Sequence, residues 1–153
     1  MSRRHVIALT PAEQREYLET AHTCILSTLD RHGYPHSVAM WFVVDPDGTI
    51  AMTTYAKSQK TMNVRRNPRC SVLIESGRTY DELKGLLIRG QASVITDTEQ
   101  VLDLLGRVHE KYNQGHAAEV REALLAQARK RVIVRVHPER VSSWDHRKLA
   151  GAY

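Results

Sequence analysis

The residues best suited to chemistry are two lysines, Lys57 and Lys60, on either side of Ser58. Ser58 is a typical N-cap residue and Asn67-Pro68 a typical stop, so the residues between them predict a short helix. Cations near a helix N-terminus are unfavourable by up to about 1 kcal/mol, because the helix dipole is already positive there. An anion bound by the lysines and the free backbone N–H groups would offset that repulsion. On an arbitrary helix, two lysines that are only solvated are the commoner explanation, and a phosphate site at Lys57, Ser58 and Lys60 is the alternative that this pattern leaves open.

Other charged residues and motifs give weaker signals. Arg65, Arg66 and Arg69 lie near the predicted end of the same helix. The dipole favours cations there, so a structural role explains each of them at least as well as a ligand, although Arg66 and Arg69 could contact an acidic group. The eight histidines and two cysteines lack the spacing of a metal site, and neither GxGxxG nor GxxxxGK[ST] occurs. We therefore expect no metal and neither of these nucleotide-binding loops.

Composition limits the class of protein. The 153 residues carry 22 Lys and Arg against 17 Asp and Glu, a net charge of +5 that favours anionic partners. Nucleic-acid binding is not expected, since the two Trp and one Phe do not interleave with the basic cluster. No apolar run is long enough for a signal peptide or a membrane span. Cys24 and Cys70 lie in apolar runs, typical of buried thiols in a reducing cytoplasm, so we expect a soluble cytoplasmic protein without membrane contact.

The elements that must position these residues follow from periodicity and turn chemistry. Thr10-Pro11-Ala12-Glu13 is a capping box that begins a helix, and further helices are predicted from Asp97 or Thr98 to about Tyr112 and over 117–128. Strands are predicted at 24–29, 35–44, 49–54, 69–75, 86–95 and 131–136, and 141–144 could add a short one. The strands do not alternate with helices, which excludes a Rossmann sheet. A single α+β domain over residues 1–153, a six-stranded antiparallel β-barrel with peripheral helices, is expected.

Several segments resemble those of one known family. They are Ile25-Leu26-Ser27-Thr28-Leu29, Asp30-x-x-Gly33-x-Pro35-His36, Trp41-Phe42, Thr53-Thr54, Lys60-x-x-Asn63-x-x-Arg66-Asn67-Pro68-Arg69 and Leu86-x-Ile88-x-Gly90-x-Ala92. In order and spacing, residues 10–137 resemble the pyridoxamine-phosphate-oxidase-like split β-barrel family. Within it they are most similar to the flavin/deazaflavin oxidoreductases. The resemblance implies a homodimer that holds FMN or the deazaflavin F420 in a groove between its subunits.

The resemblance also implies where that cofactor binds. The ring would lie against the second and third strands, and the phosphate would lie at the lysine-flanked helix. The cofactor-binding residues predicted in this way are Ser37, Met40, Trp41, Thr53, Thr54, Lys57, Ser58, Lys60 and Arg66. No catalytic side chain is assigned, because the cofactor itself carries the hydride. His36 could donate a proton, but a histidine at a strand start more often satisfies a backbone carbonyl.

These observations favour an oxidoreductase that transfers a hydride between F420 and an unsaturated or quinone-like small molecule. An FMN-dependent oxidoreductase of the same fold and a non-catalytic flavin or haem-type ligand-binding protein remain alternatives. Pyridoxamine-phosphate oxidases end in a basic-proline motif, which residues 141–148 lack, so that activity is not expected. Trp144 could either lie near the groove or fill the end of the barrel. Dimer contacts are expected around Trp41, Phe42 and the sixth strand.

Overall fold

Alternating apolar residues separated by turns form one curled antiparallel sheet in the computed structural model, which describes residues 4–149. Within that range the sheet has seven strands in the order β2-β1-β5-β6-β7-β4-β3. They are β1 (Cys24–Leu29), β2 (Pro35–Met40), β3 (Val43–Val44), β4 (Ile50–Tyr55), β5 (Arg69–Ser76), β6 (Lys84–Ile95) and β7 (Arg131–Asp145). The helices lie outside this sheet, which confirms the predicted α+β split barrel.

The strand count differs from the predicted six because of two long-range effects. The predicted strand over 35–44 is interrupted at Trp41 and Phe42, after which β3 leaves β1 and pairs with β4. The last two predicted strands are one, because a bulge in the β6–β7 pairing between Arg89 and Gly90 keeps β7 in register past Pro138. Gly90 is required at the bulge, since a Cβ there would lie 2.0 Å from the carbonyl oxygen of His137.

The described helices are α1 (Arg4–Ile7), α2 (Pro11–Thr20), α3 (Gln59–Arg66), α4 (Thr98–Asn113) and α5 (Arg121–Ala128). The bounds of α2, α3 and α4 lie close to the predicted ones, whereas the sequence did not predict α1. The capping box of α2 is present, and Asp97 caps α4 by accepting a hydrogen bond from the Gln100 N–H. The helix predicted over 117–128 divides into a 3-10 turn, Ala117–Val120, and α5. No helix among residues 4–149 is both long and apolar enough to cross a membrane.

Two apolar cores hold these elements together. One fills the curled sheet and is closed by α2, with Leu26, Met52 and Leu86 fully buried in it. The other lies between the sheet and the α4–α5 pair, around Leu104 and Ile133. Burial raises the pKa of the Cys24 thiol to about 12 and that of the half-buried Cys70 to about 11, so neither thiol is reactive at neutral pH.

Four strands also have an outer face that belongs to neither core. Ala39, Ile25, Leu73 and Leu87 are neighbours in register across β2, β1, β5 and β6. Ala39 is exposed and the other three are half-buried, and none packs in either core. We call these four residues the apolar row. On the same face, the small residues Ser37, Ser27 and Ser71 form a parallel row beside it.

Candidate functional site

A groove of about 450 Å³ lies where the end of β2 approaches α4 and α5. Its sheet side is formed by Ala39, Met40, Trp41 and Thr53, and its helix side by Leu105, Val108, His109, Asn113, Leu124 and Gln127. Arg131, the first residue of β7, completes the lining. Polar and apolar groups share the lining about equally, so the groove offers both a surface for a ring and hydrogen-bonding partners for a small molecule.

Next to the groove, hydroxyl groups and a lysine connect the end of β4 to the start of α3. Lys60 Nζ donates to Thr54 Oγ1 at 3.1 Å, and Ser58 Oγ lies 3.2 Å from the same oxygen. Ser58 Oγ also pairs with Thr61 Oγ1 at 3.0 Å, and Thr61 in turn donates to the carbonyl of Tyr55. This network orients the Lys60 ammonium group at the first turn of the helix.

Ser58 occupies the N-cap position as predicted, but its side chain does not cap α3. Its hydroxyl is used by Thr54 and Thr61, so the backbone N–H groups of the first turn, at positions 59–61, keep no side-chain acceptor. No acidic residue lies in that first turn. The start of α3 therefore presents donors and positive charge in the same place, which suits an anion.

A second cation, Arg131, reinforces this charge. Burial and the nearby positive charge of Arg131 lower the pKa of Lys60. None of the ion pairs among residues 4–149 includes Lys57, Lys60 or Arg131. Arg131 lies over the Tyr55 ring, 4.6 Å from its centroid, and its buried Nε has no hydrogen-bond partner. Two neighbouring cations without a counter-charge are the arrangement expected where an anionic ligand binds.

The sequence did not identify Arg131. It opens the last strand 71 positions after Lys60, and only the register that pairs Tyr55 of β4 with Arg131 of β7 brings the two cations together. That register depends on long-range pairing. The local signal was one arginine at a strand start, which is a common and uninformative feature.

Trp41 lines the groove at the end of β2 and belongs to a cluster of three aromatic rings. Trp41 lies parallel to Tyr112 of α4, with ring centroids 4.5 Å apart and an interplanar angle of 4°. His22 meets both rings edge-on. Trp41 is 46% exposed although it stacks on Tyr112. Phe42, by contrast, is fully buried in its own core, so it is not available for the expected contact with a partner chain.

The other predicted residues fall into two groups. Met40, Trp41 and Thr53 line the groove, and Thr54, Ser58 and Lys60 form the adjoining network. Lys57 is exposed beside that network. Ser37 does not line the groove, and its hydroxyl pairs with Ser27 Oγ at 2.8 Å on the outer face of β2.

Arg66 lies at the opposite end of α3 from Lys60, outside the groove. Its guanidinium donates to the carbonyl oxygen of Leu29 at 2.8 Å and to Asn63 Oδ1 at 3.0 Å. Asn63 is buried and donates to Thr28 Oγ1. These contacts tie α3 to β1. The side chain of His36, which pairs with Thr28 in the sheet, likewise lies outside the groove lining, and its buried Nδ1 has no partner.

The end of β7 and the residues 146–149 that follow it lie outside the groove lining. Trp144 packs on Gly85, where a Cβ would lie 2.0 Å from the indole. Arg147 pairs with the buried Asp145 at 2.6 Å, and Lys148 pairs with Glu13 of α2 at 2.7 Å. Arg131 and Trp144 lie near opposite ends of the same strand. Within one chain, none of the described residues 143–149 lines the groove.

A larger cavity, of about 660 Å³, lies between α2, the turn after β3, and the β6–β7 pair. The charges at its edge are of both signs, including Arg15, Glu19 and Asp47. Asp45 is already paired with Arg107 and Arg135. Because Glu19 and Asp47 place negative charge at its edge, this cavity is a poorer candidate for an anionic cofactor.

Comparison with known proteins identifies the family. Residues 10–145 match the family described as pyridoxamine 5'-phosphate oxidase. A 5a,11a-dehydrotetracycline/5a,11a-dehydrooxytetracycline reductase from Streptomyces rimosus is 30% identical over 139 residues, which cover 88% of this chain and 83% of that protein. An F420H(2)-dependent biliverdin reductase from Mycobacterium tuberculosis is 33% identical over 97 residues, covering 63% and 67%.

A solved structure agrees with these matches. The conserved hypothetical protein Rv2991 from Mycobacterium tuberculosis superimposes with a TM-score of 0.91 at 37% identity, over 98% of this chain and 93% of that one. A fold similarity of this extent at this identity is consistent with common descent along the whole described chain. The chain belongs to the pyridoxamine 5'-phosphate oxidase family.

Proposed function

We propose that this protein binds the deazaflavin F420 in the groove and uses it to reduce an unsaturated or quinone-like small molecule. The observation that carries the proposal is the pair of cations, Lys60 and Arg131, at the uncapped start of α3 and beside the groove. Two relatives support it, since both are named as reductases and one is named for F420H(2).

The residues present fit such a cofactor. A phosphodiester could accept hydrogen bonds from Lys60, from the N–H groups at the start of α3 and from Arg131 Nε, which has no partner of its own. Ala39 and Met40 offer an apolar surface for a ring, and Thr53 offers a hydroxyl. The basic surroundings favour F420 over FMN, because its oligoglutamate tail adds negative charges that FMN lacks. FMN remains the near alternative.

When bound, a reduced deazaflavin supplies a hydride to an electron-poor atom of the acceptor, and a proton from solvent completes the reduction. The protein's part is to bind and orient. Lys60 and Arg131 hold the anionic end, and the apolar wall at Met40 and Trp41 keeps water away from the face where the acceptor lies. His36 has no direct part in this scheme, because its side chain lies outside the groove lining.

We also propose that the protein is a homodimer. The apolar row and the serines beside it give one face of the sheet a surface of small and aliphatic side chains that packs in neither core of residues 4–149. A second copy of this chain would bury it. The edge strand β2 contributes Ala39 to this face and Met40 to the groove, so the partner would also come close to the groove.

A titration with both cofactors tests the proposal. F420 fluorescence should change on addition of the protein with a saturable dependence, and FMN should bind more weakly. Oxidation of F420H(2) by the quinone menadione, followed as recovery of F420 absorbance, should then require the protein. Tight binding of FMN without F420 would replace the proposal by the FMN alternative. Binding of F420 without turnover of any acceptor would favour a ligand-binding protein.

A further inference from the structure

The most constrained part of the groove is Trp41, at the break between β2 and β3. One face of its indole is covered by the parallel ring of Tyr112, 4.5 Å away. The side chain still lines the groove and is 46% exposed, whereas Tyr112 does not line it. The indole is therefore a flat plate, backed by a second ring on one side and open to the groove on the other.

The ring behind this plate is itself fixed. The Tyr112 hydroxyl accepts a hydrogen bond from the Phe42 N–H at 3.0 Å and donates to the Phe42 carbonyl at 2.9 Å. Lys111 Nζ donates to the same carbonyl at 3.1 Å and lies 4.2 Å from the centroid of the Phe42 ring. The last turns of α4 thus bind the backbone next to Trp41, which restricts the plane of the indole.

The hydrogen bonds from α4 to Phe42 are more than the break between β2 and β3 needs to satisfy its backbone groups. One hydrogen-bond donor would satisfy the Phe42 carbonyl, but two side chains from α4 converge on it. The outcome is a rigid apolar plane at the edge of a groove of about 450 Å³. A rigid plane discriminates by shape, because stacking rewards flat conjugated ligands with offset ring contacts that a puckered molecule cannot make.

We propose that the acceptor is a planar conjugated ring that stacks on the open face of Trp41, and that Tyr112 is a positioning residue that sets this specificity from outside the groove. The inference rests on the proposed function for the reaction, but it concerns acceptor binding alone. It can therefore be tested on protein that holds no cofactor, where failure to bind F420 would not affect the result.

The direct test labels the wild-type protein with 5-fluorotryptophan, which gives one 19F resonance each for Trp41 and Trp144. Trp41→Phe assigns them. We expect menadione, a flat naphthoquinone, to shift the Trp41 resonance saturably and to leave that of Trp144 unchanged. 2-Cyclohexen-1-one, a puckered enone, should shift neither at the same concentrations. A Trp41 resonance that menadione does not move, or that both compounds move equally, would overturn the proposal.

Turnover by the F420-loaded enzyme tests the positioning role. Tyr112→Leu should raise KM for menadione about two- to tenfold, the range expected for loss of an aromatic contact, while KM for 2-cyclohexen-1-one stays unchanged. Tyr112→Phe keeps the ring but not the hydroxyl and should recover most of that loss. Equal losses for both acceptors, or a loss in kcat alone, would mean that Tyr112 only supports the fold. The 19F titration still decides the stacking if Tyr112→Leu proves unstable.

Discussion

At the scale of single residues, the anionic end of the groove depends on charge that the protein leaves unbalanced. Lys60 is half-buried and close to Arg131, an arrangement that costs folding energy because two like charges share a partly desolvated space. Neither has an acidic partner among residues 4–149. Such a cost is typical of a position retained for binding.

Lys60→Ala should weaken F420 binding without destabilising the apo protein. A charge-assisted contact to phosphate contributes about 1.5–3 kcal/mol, so the Kd should rise about ten- to a hundredfold. Fluorescence titration measures the affinity, and thermal unfolding of the apo protein measures the stability. Arg65→Ala, which removes one exposed cation from the same helix, is the matched control and should change neither. A lower Tm with unchanged affinity would make Lys60 structural.

Unlike Lys60→Ala, Arg66→Ala should destabilise the apo protein without weakening F420 binding. The side chain donates to Leu29 and Asn63 and ties α3 to β1, so we expect the free energy of unfolding to fall by about 1–2 kcal/mol. F420 affinity should not change, because Arg66 lies at the far end of the helix from Lys60. Urea unfolding and the fluorescence titration check the two halves of this prediction. A tenfold loss of F420 affinity at unchanged stability would show that Arg66 contributes to the binding site.

At the scale of elements, β7 runs from the groove to the contact between Trp144 and Gly85. Its first residue is Arg131, and Asp145, at its other end, pairs with Lys84 of β6 in the sheet. Beside it, Trp144 occupies the space that a side chain on Gly85 would need. The tail contributes to the stability of the barrel, and the groove to binding.

Gly85→Ala should separate these two roles. The new Cβ would overlap the Trp144 indole, and overpacking of this kind costs about 1–3 kcal/mol. F420 affinity of the folded protein should be unchanged, because the contact lies at the far end of the barrel. Trp144→Leu in the same chain should restore part of the lost stability, which urea unfolding of the single and double variants would show. Loss of affinity at unchanged stability would instead place the tail near the groove.

The contact between the tail and α2 predicts a dependence on acid. Hydrogen bonds from Lys148 and from the Thr10 N–H lower the pKa of Glu13 from its ordinary 4.5 to about 2. The folded state therefore holds the carboxylate ionised where the unfolded chain would protonate it. Its contribution to stability is complete above pH 4.5 and is lost as the pH falls to 2.

The Glu13→Gln variant tests this pH dependence of stability. The difference in urea midpoint between wild type and Glu13→Gln should be largest at pH 6 and should shrink as the pH falls from 4.5 to 2. Comparing the two proteins at each pH removes the contribution of other acidic groups such as Asp145, whose pKa Arg147 lowers as well. A difference that stays constant with pH would show that the Glu13 charge contributes nothing.

Local chemistry predicted much of the fold from sequence. Thr10 and Asp97 cap helices as expected, and most strand boundaries follow from turn residues. The failures were all long-range. The break at Phe42 depends on Tyr112, 70 positions away, and Arg131 reaches the site only through its register with Tyr55. Near the site, the predicted N-cap position of Ser58 was right, but its hydroxyl binds other side chains instead of capping the helix.

At the scale of the whole molecule, the apolar row is the surface best suited to a partner copy. We expect sedimentation to give twice the monomer mass of 17.4 kDa at micromolar concentration. Leu73→Asp, in the middle of the row, should yield monomers, because it would bury an unpaired charge between the subunits. Val6→Asp, at an exposed apolar position on α1 outside the row, is the matched control and should remain dimeric. A wild-type monomer would contradict the dimer.

The strand order also determines when the barrel can form during synthesis. β4 is made early but pairs with β7, which follows every other strand of the described sheet in sequence. Until residues 131–145 emerge from the ribosome, β4 has only the two-residue β3 as a neighbour, and its apolar side chains have no sheet to join. We expect the barrel to close slowly, because β4 and β7 are far apart in sequence and their pairing must close a long loop.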